Sequence, residues 1–268
     1  MEMPVIVKRE GPVLVLTLND PERANPLSSA MVVALSEALE RAASDAEVRA
    51  VVLTGAGRHF SAGADLEALE RIAETGDEAA SRSDTEQLRH LFELLLGHPK
   101  LTVAAVHGAA VAGGCGLATA CDLVVTEPGA RFAYTEVKIG FLAAMVLTFL
   151  NRRVAGHVAR RMLLDPEMTD GPRAVELGLA DELAAEGEAV STALSLARSV
   201  CAKASPSALA ATKSLLNQTV GLGWQEAMNL AAEANIQQRM HPECRRGVRA
   251  FLETKRTPDW LDDGADSE

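Results

Sequence analysis

Apolar positions in the first half of the chain fall in short runs closed by turn residues. Val5–Lys8 and Val13–Leu18 flank Gly11-Pro12, the pattern of a β-hairpin that opens a sheet, and Asn19-Asp20-Pro21 ends it. Ser28 or Ser29 can cap a helix running to about Ala43, with Leu35, Leu39 and Ala42 on one face. Val48–Thr54 predicts a buried strand, closed by Gly55-Ala56-Gly57. The polar, acidic stretch Glu67–Gln87 reads as a mobile loop and helix, or as a solvated face, ahead of an apolar helix over Leu88–Leu96 that Gly97 and Pro99 stop. Leu101–Val106 predicts a strand, Gly113–Cys121 a helix and Leu123–Thr126 another strand. Strand, helix, strand at this spacing is the crossover pattern of an α/β fold. After residue 141 the pattern turns helical, punctuated by Pro172, Gly178, Pro206, Gly221-Leu222-Gly223 and Pro242. Ser205-Pro206 joins a cap to a proline at the first helical position. The expected division is an α/β core over residues 1–200 and a helical region over 201–268, without a long linker or a repeat visible in the sequence. Asp262–Glu268 is expected to fray.

Composition narrows the classes. Of 268 residues, 48% are hydrophobic and 24% charged, enough apolar surface for a sizeable core and too much for a disordered chain. Aromatics make up only 3%, so the core must be aliphatic and alanine-rich, with few rings to stack on nucleobases. A formal charge of −11 opposes binding to a phosphate backbone over a large area. No nucleic-acid partner is therefore expected, although a small anionic ligand is compatible if a few cations converge. Cys115, Cys121, Cys201 and Cys244 form no CxxC pair and read as reduced thiols of a cytoplasmic protein. No apolar run reaches the ~18 residues of a membrane helix, and the start has no signal-peptide shape.

Familiar catalytic motifs are missing: there is no GxxxxGK[ST], no HExxH, and no Cys/His set at zinc spacing, so no metal is expected. Gly114-Cys115-Gly116 starts a GxGxx pattern, but Thr119 fills the third glycine position. Ser61 lacks the first glycine of a GxSxG elbow. Two segments remain. His59-Phe60-Ser61-Ala62-Gly63-Ala64-Asp65 and Val111-Ala112-Gly113-Gly114-Cys115-Gly116 each follow a strand and open a helix. Small residues let a ligand approach the backbone, and free N–H groups at a helix start attract negative charge. Two such donors on one oxygen make an oxyanion hole; the plain alternative is a pair of tight turns packing strand on helix. Glu136 lies between Tyr134 and the apolar run Val137, Ile139, Phe141, Leu142, where it is either an exposed turn carboxylate or an acid–base group raised toward neutrality by an apolar wall.

These segments also carry a resemblance. Asn19–Leu27, Arg49–Gly55, Phe60–Leu66, Pro99 through Leu123, Phe132–Gly140, Glu176–Ala180 and Gly247–Glu253 are similar, in order and spacing, to motifs of the crotonase superfamily, the enoyl-CoA hydratases and isomerases. The match runs from about residue 5 to 260. It implies an α/β spiral of ββα units followed by a helical C-terminal trimerisation region, with trimers that pair into hexamers. It implies an acyl-CoA thioester as substrate, chemistry of the kind used in fatty-acid metabolism, and no further cofactor. Ala62 and Gly113 match the oxyanion-hole positions. Arg23, Ala24, Phe60, Ala64, Asp65 and Leu66 match segments lining the CoA. Lys255 and Arg256 stand near a CoA-phosphate lysine, with the spacing after Phe251 stretched by one residue. Asp65 reads equally as a helix cap, and Asp122 as a residue fixing a turn.

Glu136 matches one of two glutamates that flank the acyl chain in hydratases, and the other falls at Gly116. The first expectation is an enoyl-CoA hydratase acting on trans-2-enoyl-CoA. The alternatives are a Δ3,Δ2-enoyl-CoA isomerase, which needs one carboxylate, and a CoA-binding protein without turnover. If a second group is needed, it must come from elsewhere, such as Glu86 in the acidic stretch.

Overall fold

The computed structural model describes residues 3–262. Of the stretch Asp262–Glu268, residues 263–268 lie outside the described residues. The chain opens with the antiparallel hairpin β1 (Val5–Glu10) and β2 (Val13–Leu18), paired from Val5↔Leu18 to Glu10↔Val13. Four turns of one pattern follow: a long strand, a short strand set across it, then a helix. After β2 come a 3-10 turn (Pro21–Arg23), β3 (Pro26–Leu27) and α1 (Ser29–Ser44). The second turn is β4 (Ala50–Gly55), β5 (Gly63–Ala64), α2 (Leu66–Thr75) and α3 (Glu78–Leu96). The third is β6 (Leu101–Val106), β7 (Ala109–Val111) and α4 (Gly113–Ala120). The fourth is β8 (Leu123–Thr126), β9 (Arg131–Ala133), a 3-10 turn (Glu136–Ile139) and α5 (Val146–Arg153). Then come α6 (Gly156–Leu164), β10 (Thr169–Asp170), α7 (Gly171–Glu176), β11 (Glu182–Leu183), α8 (Ala189–Lys203), α9 (Pro206–Gln218), α10 (Trp224–Met240) and α11 (Pro242–Thr254).

The long strands form one six-stranded sheet in the order β1-β2-β4-β6-β8-β11, parallel beyond the hairpin. β4 and β6 are buried at every position because both faces are covered. Alternation decides which side each residue joins. Val51 and Leu53 point into a large core with α1, α3 and α4, where Leu35, Leu39, Leu91, Leu95 and Leu117 are sealed from solvent. Ala50 and Val52 point the other way, onto Ala189, Ala193, Ala197 and Cys201 of α8. That stripe of small residues at four-residue spacing brings α8 close to the sheet.

The short strands make a second layer. β3 pairs with β5, β7 pairs with β9 and β9 with β10, and a bridge between Ser61 and Ala110 joins the two groups. This layer carries the residues singled out for chemistry. The acidic stretch is helical rather than a loop, forming α2 and the first half of α3, each capped by an aspartate, Asp65 and Asp77. Among the described residues no helix is long and apolar enough to cross a membrane.

Candidate active site

The short-strand layer is locked by one residue of the Asn19–Leu27 segment to which the resemblance gives no role of its own. Asn25 is fully buried and left-handed (φ 55°). Its side-chain amide donates to the carbonyls of Ala56 (2.9 Å) and His59 (2.8 Å), and its side-chain oxygen accepts from the Asp20 N–H at 2.9 Å. The loop before β3 is thereby held against the loop before β5. Ser61 is buried too; its hydroxyl donates to the Asn25 carbonyl at 2.8 Å and accepts from the Gly63 N–H at 3.1 Å, so it is structural. Gly63 has φ +86°, and a Cβ there would lie 2.5 Å from the Val111 carbonyl oxygen and 3.0 Å from the Gly113 nitrogen. Only glycine lets β5 approach the start of α4 this closely.

The structure corrects one expected donor. The Ala62 N–H is bonded to the Ala24 carbonyl at 2.8 Å, so two residues assigned to substrate satisfy each other. The free donor is one position beyond Gly63. In the parallel pair β3–β5, Leu27 stands opposite Ala64. Pro26 has no N–H, so the ladder bonds through Leu27, and Ala64 turns its own N–H away from the ladder. A methyl group built on Gly113 would sit 3.9 Å from the Ala64 nitrogen. Gly113 is the first residue of α4, where an N–H has no intrahelical partner. The N–H groups of Ala64 and Gly113 therefore flank one small space. Ala112, just before it, holds a strained backbone (φ 50°, ψ −124°) and is pinned by its N–H to the Ala133 carbonyl at 2.8 Å.

Ala64 and Ala112 border a cleft of about 290 Å³ lined also by Arg23, Pro26, Ala62, Asp65, Leu66, Glu67, Leu69, Thr135, Glu136, Lys138, Ile139 and Phe141. Glu136 opens the 3-10 turn after β9 and is 8% exposed. Its Oε2 is buried without a hydrogen-bond partner. Burial raises its pKa above the usual carboxylate value, against a smaller lowering by its own backbone N–H. Of the two sequence readings of Glu136, the buried carboxylate is the one observed.

Arg23 reaches the cleft but is engaged, 2.9 Å from Asp65 and 3.2 Å from Glu67. Asp65 caps α2 by accepting from the Ala68 N–H at 3.4 Å. Phe60 is fully buried in the core and is not available to a ligand. Lys255 caps the end of α11 in a left-handed conformation and does not line the cleft. Asp122 fixes a junction more than a turn: it accepts from Thr102 N–H (2.7 Å) and from Lys213 of α9 (2.6 Å). Gly116 lies buried beneath Phe92 and Val146. Glu86 is exposed and paired with Arg89 at 2.6 Å. The half-buried carboxylate of α3 is instead Asp84, raised by burial and then by the charge of Asp65.

Known proteins match this arrangement. The family model for enoyl-CoA hydratase/isomerase matches residues 8–263. A protein named "Putative enoyl-CoA hydratase" from Thermus thermophilus is 48% identical over 93% of this chain and 97% of its own. The 2,3-dehydroadipyl-CoA hydratase of Escherichia coli is 36% identical over 96% of this chain and 98% of its own. The crystal structure of an enoyl-CoA hydratase from Polaromonas sp. JS666 superposes with a TM-score of 0.88 at 32% identity, covering 95% of this chain and 98% of that one. With the expected spiral of ββα units present and its sequence matched over residues 8–263, the chain belongs to the enoyl-CoA hydratase/isomerase family of the crotonase superfamily and is an enzyme of that family.

Proposed function

We propose that the protein hydrates trans-2-enoyl-CoA, with the N–H groups of Ala64 and Gly113 holding the thioester oxygen and Glu136 moving the protons. One observation carries this reading: Glu136, whose Oε2 is buried without a hydrogen-bond partner, lines the same cleft as Ala64, and the start of α4 at Gly113 adjoins the Ala64 nitrogen. The printed names of the T. thermophilus and E. coli relatives agree with it.

The residues present suffice for a balanced reaction. Glu136 in its carboxylate form takes a proton from water, and the hydroxyl adds to Cβ. The electron pair moves onto the thioester oxygen, where the two N–H groups stabilise the enolate. Such donors are worth ~3–4 kcal/mol each when fixed in advance. The protonated Glu136 then returns the proton to Cα. Remote binding of the nucleotide and pantetheine supplies the energy that positions the acyl group. The cleft rim of Arg23, Leu66 and Leu69 is the surface for that part of the ligand, and we assign the helices beyond residue 205 to homotrimer or hexamer assembly.

A second reading is Δ3,Δ2-isomerisation, favoured by one specific feature. The position of a second carboxylate is Gly116, and the space above it is filled by Phe92 and Val146. Removing a proton at C2 and returning it at C4 needs one carboxylate only. The test is paired kinetics on crotonyl-CoA and a 3-enoyl-CoA, followed by loss or gain of conjugation. Fast turnover of crotonyl-CoA supports hydration. Turnover of the 3-enoyl ester alone supports the second reading, and turnover of neither rejects both.

A further inference from the structure

The first turn of α4 is Gly113-Gly114-Cys115-Gly116, so three of its four residues have no side chain to grip. Glycine loosens a helix because its backbone loses the most freedom on ordering. Yet this turn presents the Gly113 N–H, whose placement relative to Glu136 must hold to a fraction of an ångström for both to act on one acyl group. Backbone ties the strands that lead into the two segments: β7 pairs with β9 as far as Val111↔Ala133, and the Ala112 N–H donates to the Ala133 carbonyl. Beyond Ala112 and Ala133 that ladder has ended.

The tie beyond the ladder is a side chain. Tyr134, the one tyrosine of the sequence, is 1% exposed and stands two residues before Glu136. Its hydroxyl lies 2.9 Å from Thr119 Oγ1 and beside the Cys115 thiol, on successive turns of α4. The direction of the bond follows from the donors. The Thr119 hydroxyl gives its proton to the Cys115 carbonyl at 2.9 Å, within α4 itself. It therefore has only a lone pair left for its partner, and Tyr134 must donate. Phenylalanine would fill the same space without a hydroxyl to desolvate. Burial, ahead of all other causes, holds the Tyr134 hydroxyl proton on, so it remains a donor throughout the working pH range.

Resting on the roles given above to Gly113 and Glu136, we propose that Tyr134 is a positioning residue: its hydroxyl ties α4, through Thr119 and beside Cys115, to the segment carrying Glu136 and so fixes the separation of the oxyanion donor from the acid–base group. Phe in its place leaves no bare buried donor, because Thr119 already has its acceptor. Thr119→Val breaks the same bond from the other end without touching the Glu136 segment.

The experiment compares wild type, Tyr134→Phe, Thr119→Val and the double variant. It measures kcat and KM on crotonyl-CoA, and amide hydrogen exchange at residues 116–120 in the free protein, whose N–H groups bond within the helix. The expected result for Tyr134→Phe is kcat lowered at least ~10-fold, KM within about twofold, and faster exchange across α4, since small misplacements cost up to ~10²-fold. Thr119→Val should show the same split, and the double variant should be no worse than the more damaged single. Wild-type exchange in both single variants overturns the clamp, whatever the kinetics. So does a Tyr134→Phe loss that Thr119→Val does not share. If wild type itself does not turn over crotonyl-CoA, the functional reading fails, while the exchange data still decide the clamp.

Discussion

The Cβ that any side chain at Gly116 requires lies 2.6 Å from Val146 Cγ2 and 3.2 Å from Phe92 Cζ. Phe92 in turn packs on Phe149, with ring centroids 5.4 Å apart. An apolar wall therefore occupies the ground on which a second carboxylate would stand. Simple addition of the missing group cannot restore it. Gly116→Glu is expected to lower Tm and leave crotonyl-CoA hydration no faster, because the carboxylate is forced against packed side chains without a partner. Gly116→Glu with Val146→Ala removes the closest contact, and should recover Tm and exceed wild-type turnover at least ~10²-fold, the low end for an added acid–base group. Thermal melts and crotonyl-CoA kinetics on the single and double variants check both parts. A faster, stable single variant would show that Val146 yields freely.

Glu136→Gln separates folding from chemistry. The variant should keep its fold and its CoA-ester affinity and lose at least ~10²-fold in kcat. Its stability should also change with pH in a defined sense. Burial raises the Glu136 pKa above the usual 4.5, so the folded state holds this proton more tightly than the unfolded state does. The stability of wild type then falls, relative to the non-titrating variant, as pH rises from the unfolded value through the folded one. Glu136→Gln is expected to melt progressively higher than wild type as pH rises above the ordinary carboxylate value. For the same reason the acid limb of wild-type kcat should lie above the ordinary carboxylate range, since hydration starts from the carboxylate. An unchanged kcat, or a variant that loses ground with rising pH, would remove Glu136 from its assigned role.

The oxyanion space offers a test that leaves the core alone. A methyl group at Gly113 falls 3.9 Å from the Ala64 nitrogen and 3.2 Å from Leu27 Cδ1, the flexible end of a side chain. Gly113→Ala should therefore fold with a small loss in Tm while placing its methyl where the thioester oxygen must go. The expected cost is ~10²–10³ in kcat, comparable with loss of one oxyanion donor. Affinity for free CoA should hardly move, because CoA has no acyl oxygen. Calorimetry with CoA and kinetics with crotonyl-CoA distinguish this from general damage, in which both would fall together.

What the sequence revealed and what it hid divide along physical lines. Long apolar runs such as Leu101–Val106 and Leu123–Thr126 showed themselves as strands to the residue, because burial on both faces leaves an unbroken pattern. Ser28 and Ser205 marked helix starts through their caps. The short strands Pro26–Leu27 and Gly63–Ala64 are two residues long, too short for any period, so the repeat of long strand, short strand and helix did not appear. The exchange of Ala62 for Ala64 as free donor has the same origin: both are alanines flanking one glycine, and only strand pairing decides whose N–H is free. Gly116 announced a missing carboxylate, but its lid of Phe92 and Val146 comes from positions 24 and 30 residues away in the chain.

Assembly follows from what the last helices leave uncovered. α9 is fastened to the core: Lys213 bonds to Asp122 and to the Lys100 carbonyl, each at 2.6 Å, and Asn217 donates to the Leu96 carbonyl at 2.6 Å. α10 and α11 contain no buried residue, and Trp224 is 79% and Met240 72% exposed, with Leu216, Met228 and Leu252 also open to solvent. Monomers rarely leave a connected apolar surface beyond a few hundred Å² uncovered. We therefore expect light scattering to give three or six times the 28.3 kDa of one chain. Truncation after Gly221 keeps the α9 anchors and removes the uncovered helices, so it should yield a folded single chain by circular dichroism. Trp224→Ala in the full chain should shift the same equilibrium toward the monomer on dilution, because an exposed indole becomes a large buried contact only in the assembly. A full-length chain that scatters as 28.3 kDa at high concentration, with Trp224 fluorescence insensitive to dilution, would mean that these helices serve no self-association.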